Sequence, residues 1–81
     1  MEDSKLIPDT TIVLGKQINI LWDTDRIKEK GLYGSINIST GELHLASEVH
    51  GTPVSKEEKE VTYLHEMFHY ILHKNGYESK L

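Results

Sequence analysis

The chain has no cysteine among its 81 residues. Disulfide bonds and thiolate metal ligands are therefore excluded, and any bound metal must be held by histidine, aspartate or glutamate. No apolar run approaches the roughly 20 residues that a membrane-spanning helix needs. Residues 1–5 are polar and acidic, unlike the start of a signal peptide. We expect a cytoplasmic protein that does not interact with membranes.

Basic residues are also too few for a nucleic-acid-binding surface. Nine lysines and arginines stand against 13 acidic residues, giving a net charge of −4, and the basic residues are scattered singly. The length allows one domain, residues 1–81, with residues 1–9 as a loose lead-in. In so small a domain we expect every apolar residue on a helix or strand to contribute to the core.

Four segments have the composition of β-strands. Residues 10–14 and 17–22 are rich in β-branched and aromatic side chains and flank a tight turn, and residues 33–38 and 42–47 flank a second one. Apolar and polar residues alternate in three of these segments, which is typical of a sheet with one solvated face. Residues 23–30 are polar except Ile27 and precede Gly31, which predicts a short helix. The fold class predicted is α+β, with a small antiparallel sheet of two strand pairs packed on one long helix.

That long helix has the clearest signals in the sequence. Ser55 and Glu58 form a capping box after Pro53, and Asn75-Gly76 marks the end. Apolar residues recur at helical spacing and predict a core-facing stripe. The stripe consists of Val61, Leu64, Phe68, Ile71 and Leu72.

Two histidines on this helix are spaced as metal ligands. His65 and His69 are four residues apart, which places them about 40° apart around the axis and about 6 Å apart along it. Both imidazoles could bind one ion, and zinc suits them, although iron, nickel or cobalt is also compatible. Glu66 lies beside the pair and could take a proton from a zinc-bound water that attacks a peptide carbonyl. The mostly apolar flanks predict that this helix is largely buried.

Other polar residues are weaker candidates for a site. His73 lies roughly 12 Å along the helix from His65, too far to share a tetrahedral ion, so we interpret it as a partner of the helix dipole. Asp23-Thr24-Asp25 lacks the rest of a calcium loop and is interpreted as helix capping. The remaining candidates for a third ligand are expected to be surface residues. They are His44, His50 and Glu78.

The order of elements and the segment from His65 to His73 resemble the ImmA/IrrE-like metallopeptidases, gluzincin-like HExxH proteins of bacteria and phages. Gly31-Leu32-Tyr33-Gly34 leading into a strand, and the cap at Ser55, resemble short phage members. The resemblance implies zinc on His65 and His69 and Glu66 as general base. It also implies an edge strand, for which residues 42–47 are the candidate, that holds an extended peptide of a repressor or regulator in a bacterial or phage-infected cell.

One part of the family pattern is missing. Members continue into a further helix with an acidic third ligand, whereas this sequence stops at Leu81. Three explanations stay open: the sequence is C-terminally truncated, Glu78 or another local residue substitutes, or the protein is an inactive relative. The function predicted is a zinc-dependent peptidase or the core of one. The alternatives are a catalytically inactive protein-binding module or phage accessory protein, and a domain in which the histidines are incidental.

Overall fold

The computed structural model describes residues 7–76, which contain six strands and two helices. The elements are β1 (Thr10–Val13), β2 (Lys16–Trp22), α1 (Asp25–Lys30), β3 (Gly34–Asn37), β4 (Glu42–Leu45), β5 (Glu48–Val49), β6 (Thr52–Pro53) and α2 (Lys56–Lys74). The α+β class, the four main strands and both helices are confirmed, with ends shifted by one or two residues. The short β5–β6 hairpin was not predicted.

The main sheet is mixed, so the predicted antiparallel sheet is wrong. Its strand order is β1-β2-β4-β3, and β2 and β4 run parallel, with Ile20 opposite Leu43. The two hairpins therefore join through β4, whose apolar Leu43 and Leu45 are almost wholly buried. A central strand has neighbours on both sides, which agrees with the burial of three of the four residues of β4. The predicted edge strand at residues 42–47 is wrong for the same reason: β4 is central, and β1 and β3 are the edges.

The core lies between one face of this sheet and α2. Ile18 and Ile20 of β2 and Leu43 and Leu45 of β4 pack against α2, and Trp22 is partly buried beside them. The predicted alternation of faces in β2, β3 and β4 is thus confirmed. The core-facing residues of α2 are Tyr63, Met67 and Tyr70.

The lead-in was predicted as loose, and residues 1–6 of it lie outside the described part. Ile7 packs against the core, and the carbonyl of Asp9 accepts a hydrogen bond of 2.9 Å from the backbone N–H of Ile20. Residues 7–9 therefore belong to the folded structure.

The predicted core-facing stripe of α2 is wrong. Four of its five residues, Val61, Leu64, Phe68 and Ile71, are 54%, 54%, 59% and 38% exposed, and the fifth, Leu72, is half-buried. The sheet contacts another arc of the helix, where Thr62, Tyr63, Met67 and Tyr70 are buried. The helix has two apolar arcs, and only one can face a single sheet. Tyr63, Met67 and Tyr70 fill the space over the sheet, and the arc that contains Phe68 is left on the outer side of the helix.

The ends of the helices agree with the sequence. Ser55 Oγ accepts a 3.0 Å hydrogen bond from the backbone N–H of Glu58, which satisfies one of the open donors of the first turn of α2. Asn75 caps the other end. Gly31 ends α1 with φ of 65°, a left-handed conformation that glycine adopts without a steric cost.

Candidate functional site

The two predicted metal ligands converge on the surface of α2. His65 Nε2 and His69 Nε2 are 3.0 Å apart, and the rings are nearly perpendicular, with centroids 4.5 Å apart. In the neutral pair one Nε2–H donates to the other ring. Two nitrogens bound to one tetrahedral zinc ion lie about 3.3 Å apart, because each is about 2.0–2.1 Å from the metal. The observed separation is therefore close to that of a two-nitrogen chelate, which the rings would form by turning both Nε2 lone pairs towards one ion.

The motif is less buried than the sequence predicted. His65 is exposed, and Glu66 and His69 are half-buried. The cause is that α2 faces the sheet with its arc of Tyr63, Met67 and Tyr70, which leaves both the polar residues of the motif and the apolar stripe outside the core. A metal ion or a peptide could therefore reach these side chains from solvent.

Glu66 and His69 border a shallow groove whose other wall is the edge strand β3. The groove has a volume of about 290 Å³ and is also lined by Gly34, Ser35, Ile36 and Ile38. Gly34 allows β3 and α2 to lie close together, because a Cβ at that position would lie 2.5 Å from Cγ2 of Thr62 on α2. Nothing in the sequence indicated this packing role of Gly34.

One edge of β3 is open within residues 7–76, where β3 pairs with β4 alone. Tyr33 O accepts a 3.0 Å hydrogen bond from the backbone N–H of Ala46, and Gly34 and Ile36 follow in the antiparallel register. Backbone groups alternate between the two edges of a strand. Those of Gly34 and Ile36 consequently face the open edge, beside the groove.

A third metal ligand is not present in the described part of the chain. Between residues 7 and 76, no group of three or more histidine, aspartate or glutamate side chains is arranged to hold an ion. His73 is exposed near the end of α2. Glu78, the predicted substitute ligand, lies outside the described residues.

His44, expected on the surface, is instead buried. Its Nδ1 lies 2.9 Å from Thr24 Oγ1, and its Nε2 lies 3.6 Å from a carboxylate oxygen of Glu42. It alternates along β4 with Leu43 and Leu45, so it faces away from α2. His44 therefore helps to attach the segment before α1 to the sheet and does not approach His65 and His69.

His50 is exposed, as predicted, and lies on the β5–β6 hairpin with φ of 52°. It borders a separate cavity of about 220 Å³ beside α1. A Cβ on Gly31 would lie 2.8 Å from its Nε2, so the ring rests on that glycine. His50 is not part of the α2 site.

Asp23 joins the ends of β2 and β4, a role that the sequence did not reveal. Its carboxylate accepts hydrogen bonds of 2.8 and 2.7 Å from the backbone N–H and Oγ of Ser47. Burial raises the pKa of Asp23, but these bonds and the charges of Lys28 and Lys59 together hold it below its ordinary value of 3.8. Thr24 is the N-cap residue of α1, without a side-chain capping bond.

Comparisons with known proteins leave the family open. No family model matches the chain, and no curated protein and no solved structure matches it. Over residues 7–76, neither helix is long and apolar enough to cross a membrane.

Proposed function

We propose that the chain binds one divalent metal ion, with zinc preferred, through His65 and His69, and hydrolyses a peptide bond with Glu66 as general base. The observation that carries this proposal is the 3.0 Å approach of the two Nε2 atoms, since His69 and the neighbouring Glu66 border the groove beside the open edge of β3. Bound zinc would polarise the substrate carbonyl and make water a better nucleophile at neutral pH. Glu66, one residue from His65 and on the groove wall, would accept the proton of that water.

The proposed substrate is an extended segment of a protein, such as a regulator or repressor in a bacterial or phage-infected cell. Such a segment would add to the sheet beside β3, with hydrogen bonds to the backbone of Gly34 and Ile36. Its backbone would then run along the groove that Glu66 and His69 border. This assigns to β3 the role that the sequence analysis gave to residues 42–47.

A second candidate is a protein-binding module without catalysis, such as a phage accessory protein. The observation that favours it is the two-histidine site, because catalytic zinc centres normally have three protein ligands. Strand addition to β3 would be the same in both cases, so metal-dependent hydrolysis separates them.

Metal binding is tested by titrating zinc into the purified chain with a competing chromogenic chelator. We expect one zinc per chain, and we expect His69→Ala to weaken its affinity at least about tenfold, because one of two imidazole ligands is lost. His50→Ala is the matched control, since that histidine borders another cavity, and it should bind as the wild type does. Equal affinity in the wild type and His69→Ala would refute the assigned ligands.

Catalysis is tested with a library of quenched fluorescent peptides and with Glu66→Gln. This variant keeps the size of the side chain but cannot act as a base, so zinc should still bind while hydrolysis falls by about 10²- to 10⁴-fold. Hydrolysis undiminished in Glu66→Gln would overturn the assigned role. Zinc binding with no cleavage of any peptide, together with capture of an extended peptide, would favour the binding module.

A further inference from the structure

The exposed face of α2 carries an apolar stripe made of Val61, Leu64, Phe68 and Ile71. All four side chains are exposed, and together they extend over about 15 Å of the helix at 1.5 Å per residue. The helix already buries its other apolar arc against the sheet, so the domain core does not require this one. Contiguous apolar surface of this kind on a small domain commonly marks a contact with another molecule.

The spacing of the stripe indicates which kind of surface it fits. Its residues follow one another at intervals of three, four and three, which are the a and d positions of a heptad repeat. Side chains at this spacing insert between the corresponding side chains of a second helix that has the same spacing.

The charges along α2 indicate the direction of that second helix. Glu57 and Glu58 lie in the first turn, and His73 and Lys74 lie in the last. In a parallel pair of identical helices the acidic turns would lie side by side. In an antiparallel pair the start of each helix, where Glu57, Glu58 and Glu60 outnumber Lys56 and Lys59, lies beside the basic last turn of the other. Glu60 of one chain then approaches Lys74 of the other, whose Nζ also lies 5.6 Å from the centroid of its own Tyr70 ring. The antiparallel helix dipoles attract each other as well.

We infer that the stripe is the contact between two copies of this chain, related by a two-fold axis with their α2 helices antiparallel. Leu64 and Phe68 surround the axis and pack against Phe68 and Leu64 of the second copy. Val61 packs against Ile71 at both ends. A two-fold contact of this kind is self-complementary, so one sequence supplies both halves.

The contact is short, so the dimer is weak. Three helical turns bury less area than the roughly 800 Å² per partner of a stable complex, and we expect a dissociation constant on the order of 100 µM. His65 lies at the rim of this surface, whereas Glu66 and His69 lie further round the helix towards β3. The inference does not depend on the metal site, and it is tested without metal.

The experiment is sedimentation equilibrium of the metal-free chain over a series of concentrations from about 10 µM to 1 mM, a range set by the affinity expected for so small an interface. The average mass should rise from that of a monomer towards that of a dimer. Phe68→Lys should weaken association at least about tenfold, because it places two charges at the centre of the contact. Ile12→Lys is the control: Ile12 is 73% exposed on β1, away from α2, and its change should leave association unaltered.

Charge exchange tests the antiparallel arrangement. Glu60→Lys and Lys74→Glu should each weaken the dimer. The double variant restores the opposite charges, so it should dimerise about twofold to fivefold more tightly than either single variant. Circular dichroism verifies that each variant stays folded. A chain that remains monomeric at 1 mM, or that associates equally well with Phe68→Lys, would overturn the inference, and so would a variant pair without recovery. Capture of a different protein by a monomeric chain would assign the stripe to that partner instead.

Discussion

Gly34 of β3 and Thr62 of α2 lie so close that a Cβ on Gly34 would be 2.5 Å from Thr62 Cγ2. The contact sets the separation between the edge strand and the helix that carries the candidate metal ligands. Glu66, one helical turn after Thr62, borders the groove together with Gly34. The width of the candidate site thus depends on the absence of a side chain at one position.

Gly34→Ala should therefore destabilise the protein by about 1–3 kcal/mol, the usual cost of adding a methyl group to a filled interior. Leu45 Cδ2 and the carbonyl oxygen of His44 are also near, at 3.1 and 3.2 Å. Denaturant unfolding measures the loss. Thr62→Ser removes the methyl group that the new Cβ would meet, so Gly34→Ala combined with Thr62→Ser should recover part of the lost stability. An unaffected Gly34→Ala variant would show that the strand and helix are not in such tight contact.

Zinc should raise the midpoint temperature of thermal unfolding, because the two imidazoles are brought together only when α2 is folded. At a zinc concentration 100 times the dissociation constant, the free energy of unfolding rises by about 2.7 kcal/mol. In His65→Ala, at the same zinc concentration, the gain should fall to about 1.4 kcal/mol or less, because the affinity is at least about tenfold weaker. Scanning calorimetry measures the change. His73→Ala, on the same helix, should keep the full rise. An undiminished rise in His65→Ala would place the ion elsewhere.

Because of Asp23, the free energy of unfolding should fall as the pH is lowered. Its pKa is lower in the folded chain than the ordinary 3.8, so the unfolded chain binds more protons as the pH drops through that value. The stabilising contribution is fully present above pH 3.8 and is lost as the pH falls towards the folded-state pKa. Asp23→Asn keeps the shape and tolerates the left-handed φ of 53°.

The measurement is the free energy of unfolding of the wild type and of Asp23→Asn between pH 7 and pH 3. The wild type should be the more stable of the two at pH 7, and the difference should shrink below pH 3.8. A difference that is independent of pH would mean that the charge of Asp23 does not contribute. Asp25→Asn, an exposed neighbour in α1, is the control.

Tyr70→Phe should leave stability unchanged or raise it by up to about 1 kcal/mol, although the residue lies in the middle of the core. Tyr70 is wholly buried, and its hydroxyl has no hydrogen-bond partner within residues 7–76. Removing an unsatisfied buried hydroxyl removes a desolvation cost. Tyr63→Phe, on the same face of α2, is the matched comparison. A clear loss of stability in Tyr70→Phe would show that the hydroxyl has a partner.

Much of the fold could be predicted because local rules decide it. The alternation of Ile18 and Ile20 with polar residues set the inner face of β2, and Ser55 and Gly31 marked helix ends through short-range hydrogen bonds and backbone sterics. The convergence of His65 and His69 was equally predictable, since four residues make about one helical turn. These features involve neighbours in the chain and need no knowledge of distant contacts.

The tertiary structure alone decided the strand order, the face of α2 that is buried and the strand that borders the site. Each is a competition between distant segments. Leu43 and Leu45 are almost wholly buried at the centre of the sheet, and Tyr63 and Tyr70 occupy the core in place of the arc of Val61, Leu64, Phe68 and Ile71. The sequence by itself determined which side chains are the candidate metal ligands, because their spacing follows from the helical repeat. The packing of α2 on Gly34 determined that Glu66 and His69 border the groove beside the open edge of β3, because the missing Cβ lets the helix approach the strand there.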